Sequence, residues 1–383
     1  MDWGYEGSTR RRTCMLMVTH ACNLNCSYCY ESHKKNAYMD INLAKEIILK
    51  EAQFVKDSDQ FDELEIDFMG GEPFMNFPLI KEIVEWLEGG VIDVPYVCFA
   101  TTNGTLLTDK IKNWLRKHKK TFVAGASYDG SSEMQSTNRG TDKYNLDLDF
   151  FYELWPNQSM HMTISKETLP NLAEGIFDIH KKGYKFDGAL AHGVDWTIDD
   201  AIIYRQQLCI LKDFYLKNTA LTPFNRLTMY INILDSSATE KIQEKWCGAG
   251  KAMATYDIDG KKYACHMFTP LVLGDKALLA DSVDWDSPKS KADDYCKTCV
   301  LRNFCSTCQG SNYMYRGNIA ARDKSWCPMV LAETLTACEF QIEIISKMDK
   351  LSEKDAQHGK MALQAYKVLQ YLDIEKSQSP YNF

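Results

Sequence analysis

The sequence predicts an α/β protein: a parallel sheet closed or partly closed into a barrel, then a small cysteine-rich unit and C-terminal helices. Three observations predict it. Strand-like and helix-like segments alternate through residues 1–235. Seven of the fourteen cysteines crowd between 247 and 327, and apolar residues recur at helical spacing beyond 330. At 383 residues, and about 150 per domain, the chain has room for two to three domains and a substantial core.

In chain order, strands are expected at Cys14–Thr19, Leu64–Phe68, Tyr96–Thr101, Phe122–Ser127, His161–Ser165 and Phe186–Ala191. Helices are expected between and after them at Leu43–Phe54, Leu79–Leu87, Thr108–His118, Asn171–Lys182 and Ile198–Leu216. In such folds functional residues gather at the C-terminal ends of strands. Here those ends carry Cys22–Cys29, Gly70-Gly71-Glu72-Pro73, Thr102-Asn103-Gly104 and Ser127-Tyr128-Asp129-Gly130.

Residues 220–245 read as a connector with a short strand at Leu227–Ile233. From Trp246 to about Met329 the chain is rich in cysteine and turn residues, with little room for a conventional core, so metal staples are expected. Residues 330–370 read as a helix or helix pair, with Leu331, Leu335, Cys338 and Ile342 on one face and Ala362, Tyr366 and Leu369 on another. The last ten residues are expected to fray.

Lys and Arg number 44 against 52 Asp and Glu, a formal net charge of −8, which argues against a nucleic-acid binder. No run approaches the roughly 18 apolar residues of a membrane span. Arg10-Arg11-Arg12 imitates a twin-arginine signal, but the apolar run behind it ends at Val18, too short for an export segment. A cytoplasmic protein is expected. Fourteen cysteines there mean metal or redox chemistry rather than a disulfide scaffold. Cys14, Cys98, Cys209 and Cys338 stand alone and read as small buried hydrophobes.

Cys22-x3-Cys26-x2-Cys29 places three thiolates on one short loop. Cubane iron–sulfur clusters ordinarily take four cysteines, so three leave one iron open to a small molecule. A closed zinc site, with His20 or His33 as fourth ligand, is the alternative. The stretch Cys22-Asn23-Leu24-Asn25-Cys26-Ser27-Tyr28-Cys29 resembles the signature of radical S-adenosylmethionine (SAM) enzymes, CxxxCxxC with an aromatic before the last cysteine. The resemblance implies a partial (β/α)6 TIM-like barrel over residues 1–235. It also implies a [4Fe-4S] cluster whose open iron chelates SAM and cleaves it reductively to a 5′-deoxyadenosyl radical.

Gly70-Gly71-Glu72-Pro73 resembles the family's GGEP motif, which faces the SAM amino group; glycines permit close backbone approach and Glu72 offers a carboxylate to an ammonium. Ser127-Tyr128-Asp129-Gly130 with Arg139 resembles the SxDG…R stretch of peptide-modifying members. That implies Ser127 at the ribose and Arg139 at the SAM carboxylate, with Tyr28 also in the site. Asp129 is read as a cap of the following turn, and Thr-Asn-Gly at Asn103 as an ordinary turn.

Downstream, Cys247-x12-Gly260-x4-Cys265 precedes Cys296-x2-Cys299-x5-Cys305-x2-Cys308 and then Cys327. Two CxxC pairs alone spell a zinc ribbon. Seven cysteines in this order resemble the SPASM extension of radical SAM enzymes, here spanning 236–330, with 331–383 as a C-terminal helical segment. One departure is two residues, not three, before the fourth cysteine of the central run. The resemblance implies two auxiliary [4Fe-4S] clusters, three in all. Cys296, Cys299, Cys305 and Cys327 would hold one, and Cys247, Cys265 and Cys308 the other. The latter lacks a fourth cysteine, so an iron is open or a side chain such as His266 fills it.

SPASM members mostly modify peptides and proteins. Sulfatase maturases that form formylglycine carry an aspartate base directly after the Gly-x4-Cys cysteine, where this chain has His266. Cys-His-x-Phe instead resembles maturases of ribosomal peptides that install thioether or carbon–carbon crosslinks, with His266 as a possible base. The expected function is a radical SAM oxidoreductase acting on a precursor peptide or protein, fed by flavodoxin or ferredoxin. Only 21 residues precede Cys22, so peptide recognition would fall to a separate protein, the barrel surface, the SPASM segment or the C-terminal helices. The alternatives are a formylglycine-forming enzyme, a small-molecule radical SAM enzyme and a non-catalytic electron-transfer module.

Overall fold

In the computed structural model, the described residues are 10–142, 144, 146–229, 231, 247–283, 296, 299–301, 305, 308–372 and 374. Six strands follow in order: β1 (Arg11–Thr19), β2 (Glu63–Gly70), β3 (Tyr96–Thr102), β4 (Phe122–Ala126), β5 (Met160–Ile164) and β6 (Phe186–Leu190). All neighbours pair in parallel, and β5 follows β4 through a bridge between Ser127 and His161. Each expected strand is present, displaced by a few residues at most. So are the expected helices, α1 (Ile41–Lys56), α2 (Phe77–Glu88), α3 (Asp109–His118), α6 (Leu172–Lys181) and α7 (Ile198–Lys217).

These elements form where local chemistry and burial agree. The Asp40 carboxylate caps α1 by accepting from the amides of Asn42 and Leu43. The helix then buries Ala44, Ile47, Ile48, Ala52 and Val55 at helical spacing on the sheet. Each large aliphatic side chain so buried contributes about 1.5–3 kcal/mol. On β1, Cys14, Leu16 and Val18 enter the same core, and α7 opens with a capping box between Thr197 and Asp200. Cys14, Cys98 and Cys338 are fully buried, as expected of isolated cysteines, whereas Cys209 on α7 is half-buried.

Two helices escaped the sequence reading, α4 (Ser132–Arg139) and α5 (Leu148–Leu154). The first is so polar that its composition reads as a turn, yet it buries Met134, Gln135, Asn138 and Arg139. The expected strand at Leu227–Ile233 also fails for Leu227, Thr228 and Met229; residues 230, 232 and 233 lie outside the described set. Gln341 supplies the reason. Its side-chain amide donates to the Leu227 and Met229 carbonyls, at 3.2 and 2.8 Å, where a strand neighbour would.

The cysteine-rich segment contributes to the main sheet, contrary to the expectation of little conventional core. Its β7 (Met253–Tyr256) pairs in parallel with β1 and turns into β8 (Lys262–Tyr263), so one sheet runs β4-β3-β2-β1-β7-β8. Gly260, at φ +81°, makes that hairpin turn, which explains the glycine before Cys265. Around it Ala249, Tyr263, Cys265, Met267, Phe268 and Val272 form an apolar cluster of their own. Among the described residues no pairing joins β6 to β8, so the sheet is an open arc rather than a closed barrel.

Beyond α8 (Pro270–Leu273) and α9 (Gln309–Arg316), two long helices finish the chain, α10 (Trp326–Ser346) and α11 (Glu353–Leu369). α10 packs between α7 and α11. It is buried nearly all round, and its polar side chains are paired: Glu333 accepts from the Tyr204 hydroxyl at 2.8 Å. Among the described residues no helix is long and apolar enough to cross a membrane. Within the arginine run that imitates a signal, Arg11 and Arg12 open β1. Arg11 pairs with Glu63 and Glu65, and Arg12 with buried Glu51 at 2.7 Å.

Candidate functional site

The loop after β1 carries Cys22, Cys26 and Cys29, and neighbouring strand ends hold it in place. The Ser27 amide donates to the Asn138 carbonyl, and the Asn103 side chain donates to Asn23 Oδ1 at 3.0 Å. Asn103 thus does more than turn the chain. The glycines of the Gly70-Gly71 pair are demanded by this loop. A Cβ on Gly71 would meet the Ala21 carbonyl oxygen at 2.5 Å and the Cys22 Cβ at 2.9 Å. Gly70, at φ +151°, would press its Cβ into the Thr19 backbone. Their freedom seats the cysteine loop on β2.

Glu72 is buried, and burial pushes its carboxyl up against the pull of its donors. Oε1 accepts from the Thr102 hydroxyl at 2.7 Å and the Phe74 amide at 3.1 Å, while Oε2 accepts from the Asn103 amide at 2.8 Å. It therefore braces β2 to β3, with lone-pair capacity left on Oε2 for a further donor.

Arg139, on the last turn of α4, makes a bidentate pair with Asp129, at 2.8 and 2.9 Å, and its guanidinium lies 5.4 Å from the Tyr28 ring centre. Burial opposes its charge, but Asp129 and Tyr28 hold it protonated. Asp129 also accepts from the Tyr28 hydroxyl, Asn138 and the Thr163 amide. Asp129 is thus the hub that positions Arg139, not a cap for the following turn.

Beside these side chains lies one cavity of about 360 Å³. Its wall takes in Cys22, Cys26, Cys29 and Tyr28 from the loop, Gly70, Gly71 and Glu72 after β2, then Ser127 and Arg139. Every residue expected at the first cluster or SAM is therefore in this one wall. Burial holds the Cys22 thiol up at about 11 and raises Cys26, so loading iron there would release protons. His20 turns away to Asp257, at 2.5 Å, and the His33 ring lies against Gly274. Neither lines the cavity, and among the described residues no three such donors converge as a single metal ion requires. The zinc alternative has no fourth ligand from these histidines.

Cys296, Cys299, Cys305 and Cys327 line one small cavity, with Cys327 on the first turn of α10. Burial first, then the three neighbouring thiols, pushes Cys327 up to about 12. Cys308 lines a different cavity of about 270 Å³ with Cys247 and Cys305, so Cys305 faces both cavities. Cys308 caps α9, accepting the Ser311 amide at 3.4 Å on sulfur. Cys265 lines neither cavity; it shares an apolar cluster with Cys308 and Tyr30.

His266 lines none of these three cavities. Its Nε2 meets the Tyr30 hydroxyl at 3.1 Å, Nδ1 is buried without a partner, and burial lowers its pKa to about 4. The bond joins the residue after Cys29 to the residue after Cys265, so it ties the two cysteine regions together.

Asp67 and His192 are among the wall residues that the sequence reading missed. Asp67 on β2 faces the first cavity, its carboxyl pushed up to about 8 by burial and by Glu65. The alternation of Glu65, Asp67 and Met69 on the face opposite the core residues Ile66 and Phe68 was the available signal. His192, two residues past β6, lines both the first cavity and the one shared by Cys247 and Cys308; extending the strand-end rule to β6 would have found it.

Comparison with known proteins follows the same lines. A family model described as a 4Fe-4S single cluster domain matches residues 6–147. An uncharacterised protein of Methanocaldococcus jannaschii is 35% identical over 116 residues, 30% of this chain and 38% of that protein, so the match spans well under half of that relative. The radical SAM cyclopropyl synthase TigE of Paramaledivibacter caminithermalis is 24% identical over 85% of this chain and 73% of its own. AlbA of Bacillus subtilis, an antilisterial bacteriocin subtilosin biosynthesis protein, is 22% identical over 80% of this chain and 70% of its own. Among solved structures, anSMEcpe with bound AdoMet and Cp18Cys peptide superposes with a TM-score of 0.65, at 16% identity, over 88% of this chain and 99% of that one. SuiB of Streptococcus suis, bound to its precursor peptide SuiA, gives 0.56 at 17% identity, over 82% and 75%. These structures share the fold. Radical SAM maturases of the SPASM type are what this chain is similar to over most of its length, and the resemblance read in its cysteine motifs holds.

Proposed function

We propose that the protein is a radical SAM peptide maturase that removes two hydrogens from a precursor peptide, forming a thioether or carbon–carbon crosslink. The observation that carries this reading is the shared wall. Three cysteines and every motif residue expected at SAM face one cavity, which borders a second cavity carrying Cys247, Cys305 and Cys308 through Ala189, Leu190 and His192.

In this reading Cys22, Cys26 and Cys29 hold the SAM-binding [4Fe-4S] cluster, and auxiliary clusters sit on the two downstream cysteine sets. When bound, the first cluster and SAM supply a 5′-deoxyadenosyl radical. The chain's own residues orient the cofactor. Gly70, Gly71 and Glu72 receive the ammonium, Arg139 the carboxylate and Ser127 the ribose, with Asp129 fixing the guanidinium plane. Residues 1–235 are the barrel, 236–330 the cluster extension and 331–383 the helical segment. Flavodoxin or ferredoxin supplies electrons.

The TigE relative, by its name a cyclopropyl synthase, supports carbon–carbon bond formation, and the SuiA complex of SuiB supports a peptide as substrate. The formylglycine reading loses ground on His266, which stands in the aspartate's place but is tied to Tyr30 away from both cavities. The test is intact mass of a short peptide encoded beside this gene, after anaerobic reaction with reconstituted enzyme, SAM and reductant. Loss of two hydrogens per event, abolished by Cys22→Ala, is the expected result. An unchanged peptide beside abundant 5′-deoxyadenosine overturns the peptide reading and redirects the search to sulfatase peptides and small molecules.

A further inference from the structure

A crosslink made with loss of two hydrogens leaves one proton that the radical does not remove, and the chain needs a group at the substrate to take it. His266 was the histidine singled out by sequence. Its Nε2 is engaged by Tyr30, its Nδ1 is buried without a partner, and it lines neither cavity. His192, by contrast, lines both cavities.

His192 stands where the first cavity meets the second. Of the three residues common to both walls, Ala189, Leu190 and His192, only the histidine can exchange a proton. Its ring stacks on Trp326 of α10, with centroids 5.2 Å apart and planes 20° from parallel, so its orientation is set by the helix that carries Cys327. Neither ring nitrogen has a hydrogen-bond partner among the described residues, and neither is a buried orphan, so both remain open to the cavities. Burial and the nearby Arg226 lower its pKa, against Asp323, which leaves the imidazole neutral at neutral pH.

We propose that His192 is a catalytic residue, the proton acceptor that contacts the peptide at the junction of the two cavities; this rests on the peptide-maturase reading above. The balance is as follows for a substrate carrying R–H and X–H. Transfer of a hydrogen atom from R–H to the 5′-deoxyadenosyl radical breaks the first bond and leaves R•. As the R–X bond forms, the X–H proton passes to a neutral His192 nitrogen. The one remaining electron leaves to the oxidised iron–sulfur centre assigned to Cys247, Cys265 and Cys308.

The experiment compares wild-type holoenzyme with His192→Phe, which keeps an aromatic face for Trp326, and His192→Asn, which keeps a hydrogen-bonding group without a comparable base. Iron content and cluster absorption report that each variant is loaded. The readout is modified peptide formed per 5′-deoxyadenosine, with the gene-adjacent peptide as probe. A drop of about 100-fold in that ratio for both variants is expected, within the range for loss of a general base. A merely structural role would lower peptide product and 5′-deoxyadenosine together. As an independent measurement, diethyl pyrocarbonate should modify His192 in the loaded wild-type enzyme well ahead of His20, which is fully buried and paired with Asp257. An unchanged ratio in an active, loaded variant overturns the proposal alone, as does an unreactive His192. If wild-type enzyme modifies no peptide, the maturase reading falls and this proposal with it.

Discussion

The two cysteine regions of this chain are built in different ways, and the difference decides what each tolerates. The first sits on a loop locked by backbone: glycines with no room for a side chain, amide-to-carbonyl bonds to α4, and a carboxylate clamped between strand ends. The second is spread over β7–β8, α9 and α10, and side chains hold it together: the Tyr30–His266 bond, Gln341 on the connector, and Trp326 against His192. Backbone locking makes the first site a single unit. Side-chain assembly lets the second be altered piecemeal.

The largest expected effect tests that contrast directly. Replacing Cys22 with Ala should abolish both 5′-deoxyadenosine and peptide product, because the cofactor loses a ligand on its only loop. Replacing Cys296 with Ala should abolish product while 5′-deoxyadenosine release stays measurable. Chromatographic assay of both products decides it. Equal loss of 5′-deoxyadenosine in the two variants would mean that the regions are one cooperative unit after all.

The contrast also explains what could be read in advance. The six strands, their helices and the first-cavity residues were legible because βα periodicity and the strand-end rule act through the backbone. Cys22, Gly71 and Arg139 were marked by the resemblance of their motifs to the radical SAM family, and one cavity wall holds all three. Where side chains decide, the reading failed. The strand expected at Leu227–Ile233 is displaced, in its described part, by Gln341, more than a hundred residues away in sequence. Asp129 reads locally as a turn cap, and its bond to Arg139 depends on a helix too polar to recognise. His266 was marked by its neighbour Cys265, whereas its ring is claimed by Tyr30.

A smaller effect is expected from Asp129→Asn, which keeps the shape of the hub and removes its charge. Arg139 would then be a buried guanidinium without a counter-ion, a loss of about 3–5 kcal/mol in comparable buried pairs. Denaturant unfolding should show that loss, and SAM affinity measured by equilibrium dialysis should weaken with it. Affinity held at the wild-type value would mean that Arg139 does not receive the cofactor's carboxylate.

The smallest effect contrasts an acid in each of the two cavities that meet at His192. Asp67, in the first, is pushed to about 8 by burial and by Glu65. Glu333, in the second, is also raised by burial, but Arg226 and the Tyr204 hydroxyl pull it back. Between the ordinary carboxyl value of 3.8 and about 8, folded Asp67 keeps a proton that the unfolded chain has lost. Stability is therefore drawn away as pH rises through that window. Asp67→Asn removes the slope, so its thermal midpoint should gain on wild type steadily from pH 5 to pH 8. Glu333→Gln should gain less over the same range, since its partners already favour the charged form. A constant offset between Asp67→Asn and wild type across that range would show Asp67 to be ionised in the folded protein, and the first cavity to be wetter than its walls suggest.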